Sequence, residues 1–70
     1  MDRIPVTSSS VASIGYDRDT QVLEVEFLNG GVYQYFNVAE HIHEELMSSS
    51  SKGSYLAGTV KKLHAVSRVG

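Results

Sequence analysis

The stretch "NGGVYQYF", Asn29-Gly30-Gly31-Val32-Tyr33-Gln34-Tyr35-Phe36, follows the most regular strand pattern of the chain and leads into its third apolar run. Its hairpin register decides which way the two tyrosines face. With a two-residue type I′ turn at Asn29-Gly30, Leu28 pairs with Gly31, Glu26 with Tyr33 and Glu24 with Tyr35. Both tyrosines then lie outside, between carboxylates. With a three-residue loop, Leu28-Asn29-Gly30 and a left-handed Gly30, Phe27 pairs with Gly31, Val25 with Tyr33 and Leu23 with Tyr35. The tyrosines then join the buried face and Gln34 points out beside Glu24. A slip of one residue exchanges the two faces of the strand. The three-residue loop is preferred because it leaves no polar side chain inside, although it exposes Val32 and Phe36.

Upstream, Val22 to Leu28 reads V-L-E-V-E-F-L. Leu23, Val25 and Phe27 alternate with Glu24 and Glu26, as in a half-buried strand. Ser10 to Tyr16 forms the preceding strand, with Ala12, Ile14 and Tyr16 on one face. Asp17 and Asp19 suit the turn between them, because short carboxylates accept bonds from nearby backbone amides. Pairing Tyr16 with Gln21 sets Ile14 opposite Leu23 and Ala12 opposite Val25. Val32 to Phe36 closes a three-stranded antiparallel meander.

Downstream, Asn37 suits a helix N-cap with Glu40 reaching back in capping-box fashion. Val38, Ala39, Ile42 and Leu46 form an apolar stripe over residues 38–47, with His41, Glu44 and Glu45 outward. Ser48 to Gly53 ends that helix, since serines compete for backbone bonds. Tyr55, Leu56, Thr59, Val60 and Leu63 predict a second, shorter helix from about Ser54 to Leu63, made irregular by Gly58. The fold class expected is α+β: a three-stranded antiparallel β-meander with one or two helices packed on the face of Ile14, Leu23, Val25 and Phe27. One domain spans residues 8–64, and residues 1–7 and 65–70 are expected to be flexible.

Seventy residues, 41% of them apolar and none Trp, allow only a thin core. Dimerisation is a natural supplement. Absence of cysteine excludes disulfides and thiolate metal sites. No apolar run suits a signal peptide or a membrane span, so the expected location is cytoplasmic, with no membrane partner. Residues 1–47 hold all eight acids with only Arg3 and Arg18, whereas residues 48–70 hold Lys52, Lys61, Lys62 and Arg68 and no acid. The basic segment either meets an anionic partner or lies, paired or merely solvated, on its own domain.

Catalytic constellations are missing. His41 and His43 are two apart on a helix and diverge by roughly 200°. "HEELM" at residues 43–47 lacks the second His of a zinc-protease helix. A metal site from His41, Glu45 and His64 is the remaining combination, and solvated histidines are the better reading. No serine lies in a nucleophile elbow, and "NGG" is a hairpin turn, not a phosphate loop. Glu24 and Glu26 would need a cleft to act as an acid/base pair, which so small a sheet hardly offers. No enzyme activity, cofactor, metal or small-molecule substrate is expected.

Taken together, "SSSVASIGYDRDTQVLEVEFLNGGVYQYFNV", a helix and "SKGSYLAGTVKKL" resemble the KTSC domain over residues 6–63. The resemblance is carried by Ser8-Ser9, "IGYD" at 14–17, "LEVEF" at 23–27, Tyr33-Gln34-Tyr35, and Ser51-Lys52-Gly53 followed by Tyr55. That family takes its name from a domain at the C-terminus of some lysyl-tRNA synthetases, and it also occurs alone in short bacterial and phage proteins. Its role is unassigned, and RNA binding has been suggested from the synthetase association. Family members usually continue from the Ser-x-Gly segment with an aromatic-Asn pair and a basic-aromatic ending. Here Leu56-Ala57-Gly58 and Lys61-Lys62-Leu63 stand instead.

The resemblance implies a small non-catalytic binding module with RNA, tRNA in particular, as partner. Lys52, Lys61, Lys62 and Arg68 are the candidate contacts, joined by Tyr33 and Tyr35 if these face outward, because single strands stack on exposed aromatics beside basic side chains. The alternative is a protein-interaction or homodimerisation domain using the sheet edge and apolar surface that includes Val32 and Phe36.

Overall fold

The computed structural model describes residues 1–70. Five strands form one antiparallel sheet in sequence order: β1 (Ile4–Pro5), β2 (Val11–Asp17), β3 (Val22–Phe27), β4 (Val32–Tyr35) and β5 (Val66–Arg68). Between β4 and β5 the chain crosses one face of the sheet with α1 (Glu40–Ser48) and α2. The latter runs as Lys52–Tyr55, a π turn at Leu56–Val60, and Lys61–Leu63.

The sheet therefore has five strands, not three. Both additional strands come from segments in which no element was expected. β1 lies on β2, with Ile4 opposite Ile14. β5 lies on β4, with Val66 opposite Tyr35 and Arg68 opposite Tyr33. Neither segment is long or periodic enough to signal a strand, and each is set by a partner already in place.

At the β3–β4 hairpin the three-residue loop is realised. Val25 pairs with Tyr33 and Leu23 with Tyr35. The Phe27 amide donates to the Gly31 carbonyl at 2.9 Å, and Gly30 takes φ of 97°, a region glycine enters without steric penalty. Asn29 Oδ1 accepts the Gly31 amide at 3.0 Å, locking the loop.

The β2–β3 register differs by two residues from the expected one. Ile14 faces Val25 and Tyr16 faces Leu23. Asp17 Oδ1 accepts the Asp19 and Thr20 amides, and Gln21 takes φ of 57°, so the turn keeps its length but lies one residue further along the chain, between Asp17 and Val22. A shift of two preserves facing. A bulge between Val11 and Ser13 then sends Val11, rather than Ala12, into the core.

Helix α1 starts later than its sequence suggests. Its N-cap is Ala39, without a side-chain bond, while Asn37 is left-handed at φ of 57°. No capping box forms because Val38 is held elsewhere. Its amide donates to the Gln21 carbonyl at 2.8 Å, its carbonyl accepts the Tyr16 hydroxyl at 2.5 Å, and its side chain is fully buried. Ile42 and Leu46 face the sheet, and Leu46 joins Val11, Ile14, Leu23, Val25 and Val38 in the core. Leu56 and Val60 bring α2 to the same cluster. Tyr55 donates its hydroxyl to Glu45 at 2.8 Å, tying the two helices.

The second sheet face is covered by the N-terminal residues. Arg3 donates to Glu24 at 2.5 Å and to Ser13 Oγ at 3.0 Å, Ser13 donates to Glu26 at 2.9 Å, and Gln34 donates to Glu24 at 2.8 Å. Glu24 is 8% exposed, so the alternating glutamates that sequence places in solvent are organised around one arginine. These hydrogen bonds favour the carboxylate and hold Glu24 below the usual carboxylate range, Gln34 contributing most, against the opposing effect of burial.

Candidate nucleic-acid interface

On the helical side of the sheet, the β3–β4 hairpin and β5 diverge from α2 and leave a groove of about 340 Å³. The sheet contributes Phe27, Tyr33, Tyr35 and Val66, with Asn29 at the turn. α2 contributes Gly53, Leu56, Ala57 and Lys61. The expectation that so small a sheet has no room for a cleft is thus corrected: the fifth strand and the length of α2 make one. Glu24 and Glu26 lie on the opposite sheet face and do not reach it.

Tyr33, Tyr35 and Lys61, named from sequence, come together here. Tyr35 is 5% exposed and belongs to both core and groove floor, and burial raises its phenol pKa above the usual value, with Tyr33 adding to the effect. Tyr33 is half-buried. It meets the Phe27 ring edge-on with centroids 5.6 Å apart, and the Arg68 guanidinium lies 5.7 Å from its centroid. Arg68 is positioned by its own bond to the Gly70 carbonyl at 2.9 Å.

The other two lysines are placed differently. Lys52 donates to the Ser49 carbonyl at 3.0 Å at the entry of α2, and Lys62 is exposed beside Lys61; neither lines the groove. Ion pairs of the molecule use only Arg3, with Glu24 and Glu26, and Arg18, with Glu40. The basic segment is therefore not neutralised by the acidic body of its own domain.

Sequence reasoning missed Asn29, Gly53, Ala57 and Val66 as groove residues and read Phe27 and Leu56 only as packing residues. Val66 carried no usable signal, because its strand exists only through pairing with β4. The backbone at the helical wall is a π turn, a deviation frequent at functional sites, and Gly58 within it was the one visible hint.

The trio His41, Glu45 and His64 is not assembled: Glu45 receives Tyr55, and His64 Nδ1 lies 3.1 Å from the Phe36 carbonyl. His43 stacks on Tyr16 with centroids 4.7 Å apart, and burial lowers its pKa. No helix is long and apolar enough to cross a membrane.

Comparison with known proteins matches residues 7–63 to the model of the KTSC domain. An uncharacterized protein of Stutzerimonas stutzeri is 38% identical over 64 residues, covering 91% of this chain and 90% of its own length. The crystal structure of a KTSC domain protein from Yersinia pestis superposes with a TM-score of 0.93 at 42% identity, covering 99% of this chain and 97% of that one. A lysine–tRNA ligase of Nostoc punctiforme is 36% identical over 53 residues, which is 76% of this chain but 9% of the ligase. With the family model covering most of its length and the fold reproduced end to end, this chain belongs to the KTSC domain family.

Proposed function

We propose that the chain is a non-catalytic module that binds single-stranded RNA, tRNA in particular, in the cytoplasm. The observation that carries this reading is the groove. It is lined by Tyr33, Tyr35 and Lys61, with Arg68 beside the Tyr33 ring; both cations are bound to no carboxylate, while the paired Glu24 and Glu26 occupy the far face of the sheet. Aromatic surface beside unneutralised basic groups is the arrangement by which single strands are held. Similarity to a segment of lysine–tRNA ligases supports the same class of partner.

Titrating labelled tRNA and a single-stranded oligoribonucleotide into the folded protein tests it. With three or four phosphates neutralised, affinity falls about 20- to 50-fold between roughly 50 and 200 mM salt. No binding at low salt, with the fold verified, overturns the reading. Salt-independent binding moves the assignment to a second reading, protein interaction or self-association. That reading is favoured by the apolar side chains Leu63, Val66 and Val69 beside the open edge of β5, at 70%, 44% and 53% exposed.

A further inference from the structure

We propose that the groove is a subsite for one unstacked nucleobase, whose adjoining phosphate sits against Lys61 and Arg68; this rests on the RNA reading and specifies what enters the site. The volume of about 340 Å³ lies at the lower end of ligand pockets, enough for one nucleotide and far too little for a duplex. Its lining is largely apolar and aromatic and includes Phe27, Tyr33, Leu56 and Val66.

Its floor is polar in one place. Tyr35 is 5% exposed as a residue and lines the groove, and its hydroxyl makes no hydrogen bond within the chain. A hydroxyl can both donate and accept, so it is free to bond a ligand whose edge carries donors and acceptors. At the mouth, Asn29 uses Oδ1 to hold the Gly31 amide and keeps its NH₂ group free to donate.

These features select a group that is apolar on its faces, hydrogen-bonding at its edge and attached to an anion. A nucleobase with its phosphate has all three. An acyl chain would leave the Tyr35 hydroxyl unpaired, and a simple carboxylate would leave the aromatic walls unused. Arg68 over Tyr33 marks the place where the sugar–phosphate chain leaves the groove, because its guanidinium is held beside Gly31 and Tyr33 and meets no carboxylate. The same chemistry would be offered by a free mononucleotide, so the test carries both forms.

The isotope-labelled full chain is titrated with a single-stranded octaribonucleotide, with the same oligomer carrying one abasic site at each position in turn, and with AMP and UMP. Expected are shifts at Tyr33, Tyr35, Ala57 and Lys61, and a loss of about tenfold or more for the abasic position that meets the groove. Tyr35→Phe, which keeps the ring and removes the hydroxyl, should weaken the octamer severalfold without changing the salt slope. A further variant, Ala57→Leu, fills the groove from an exposed helix position and should abolish the abasic penalty. If the octamer binds with shifts confined to Lys52 and Lys62, and with abasic oligomers and Tyr35→Phe equal to the parent, the subsite is overturned and the RNA reading stands. If the mononucleotides produce the groove shifts and the octamer does not bind, the subsite is supported and the polymer reading is overturned. If neither binds at low salt, both are overturned.

Discussion

Gln34 lies directly opposite Glu24 on adjacent strands, and its amide donates to Glu24 Oε1 at 2.8 Å while Arg3 holds the other carboxylate oxygen. The pair exists only in the register of the three-residue hairpin loop, so it reports the register as well as the electrostatics of the outer sheet face. Because Glu24 has a folded pKa below its unfolded value of 4.5, it contributes stability that is present above that value and is lost as pH falls through the folded one. Urea midpoints measured from pH 7 down to pH 3 should therefore decline, and Glu24→Gln should flatten the acid part of the decline. Arg3→Ala should lower stability by about 1–2 kcal/mol at neutral pH, since it removes a charged donor from a mostly buried carboxylate. An unchanged pH profile in Glu24→Gln would remove this residue from the account of acid sensitivity.

His43 acts in the same direction at higher pH. Burial against Tyr16 lowers its pKa from 6.5, so protonation is harder in the folded state than in the unfolded chain. Stability should then begin to fall as pH drops through about 6.5 and stop falling below the folded pKa. His43→Phe keeps an aromatic stack without a titrating group, and denaturation midpoints of that variant should be level between pH 7.5 and pH 5.5.

Gly15 is the point at which the N-terminal residues touch the sheet. A Cβ there would lie 2.7 Å from the Asp2 carbonyl oxygen and 3.0 Å from Arg3 Cγ. Gly15→Ala should lower stability by about 1–3 kcal/mol through this collision. In a chain lacking residues 1–3, which is itself less stable for want of Arg3, the same substitution should cost less, because the obstructing backbone is gone. A mutant cycle with no coupling between the two changes would show that the N-terminal residues do not rest on β2 in solution.

Gly30→Ala tests the hairpin. At φ of 97° a Cβ clashes with the following carbonyl, and the change should destabilise the protein by about 1–2 kcal/mol. An NOE between Val25 and Tyr33 should persist in the variant, because the buried face still specifies the pairing. Its replacement by one between Glu26 and Tyr33 would mean that the loop, and not the core, sets the register.

The tertiary anchor of α1 is expected to be measurable in isolation. Tyr16→Phe deletes the hydroxyl that donates to the Val38 carbonyl and should cost about 1 kcal/mol, read from the thermal or urea transition. Amide exchange in α1 should accelerate more than in the β2–β3 pairing, since the lost bond ties the helix start to the sheet.

What was legible in the sequence was local. Alternation in Leu23-Glu24-Val25-Glu26-Phe27 determines a strand and its inner face, and the glycines after Asn29 determine a hairpin. Placing polar Gln34 outside was enough to prefer the register that the structure adopts. Tyr33, Tyr35 and Lys61 stood among six candidate contacts with Lys52, Lys62 and Arg68, and nothing in their spacing said that these three line one groove.

Only the tertiary structure decided the rest, for one physical reason: it depends on surfaces that exist after the meander has formed. Strands β1 and β5 are two and three residues long and take their conformation from neighbours already in place. Asn37 gives up the cap because Val38 is drawn to Gln21 and Tyr16, contacts distant in sequence. Arg3 reaches Glu24 across 21 positions, a pairing no local pattern encodes. The groove arises where β5 and the π turn of α2 fail to close on the tyrosines. Residues determine their own periodicity, and the space between elements is set only when those elements pack.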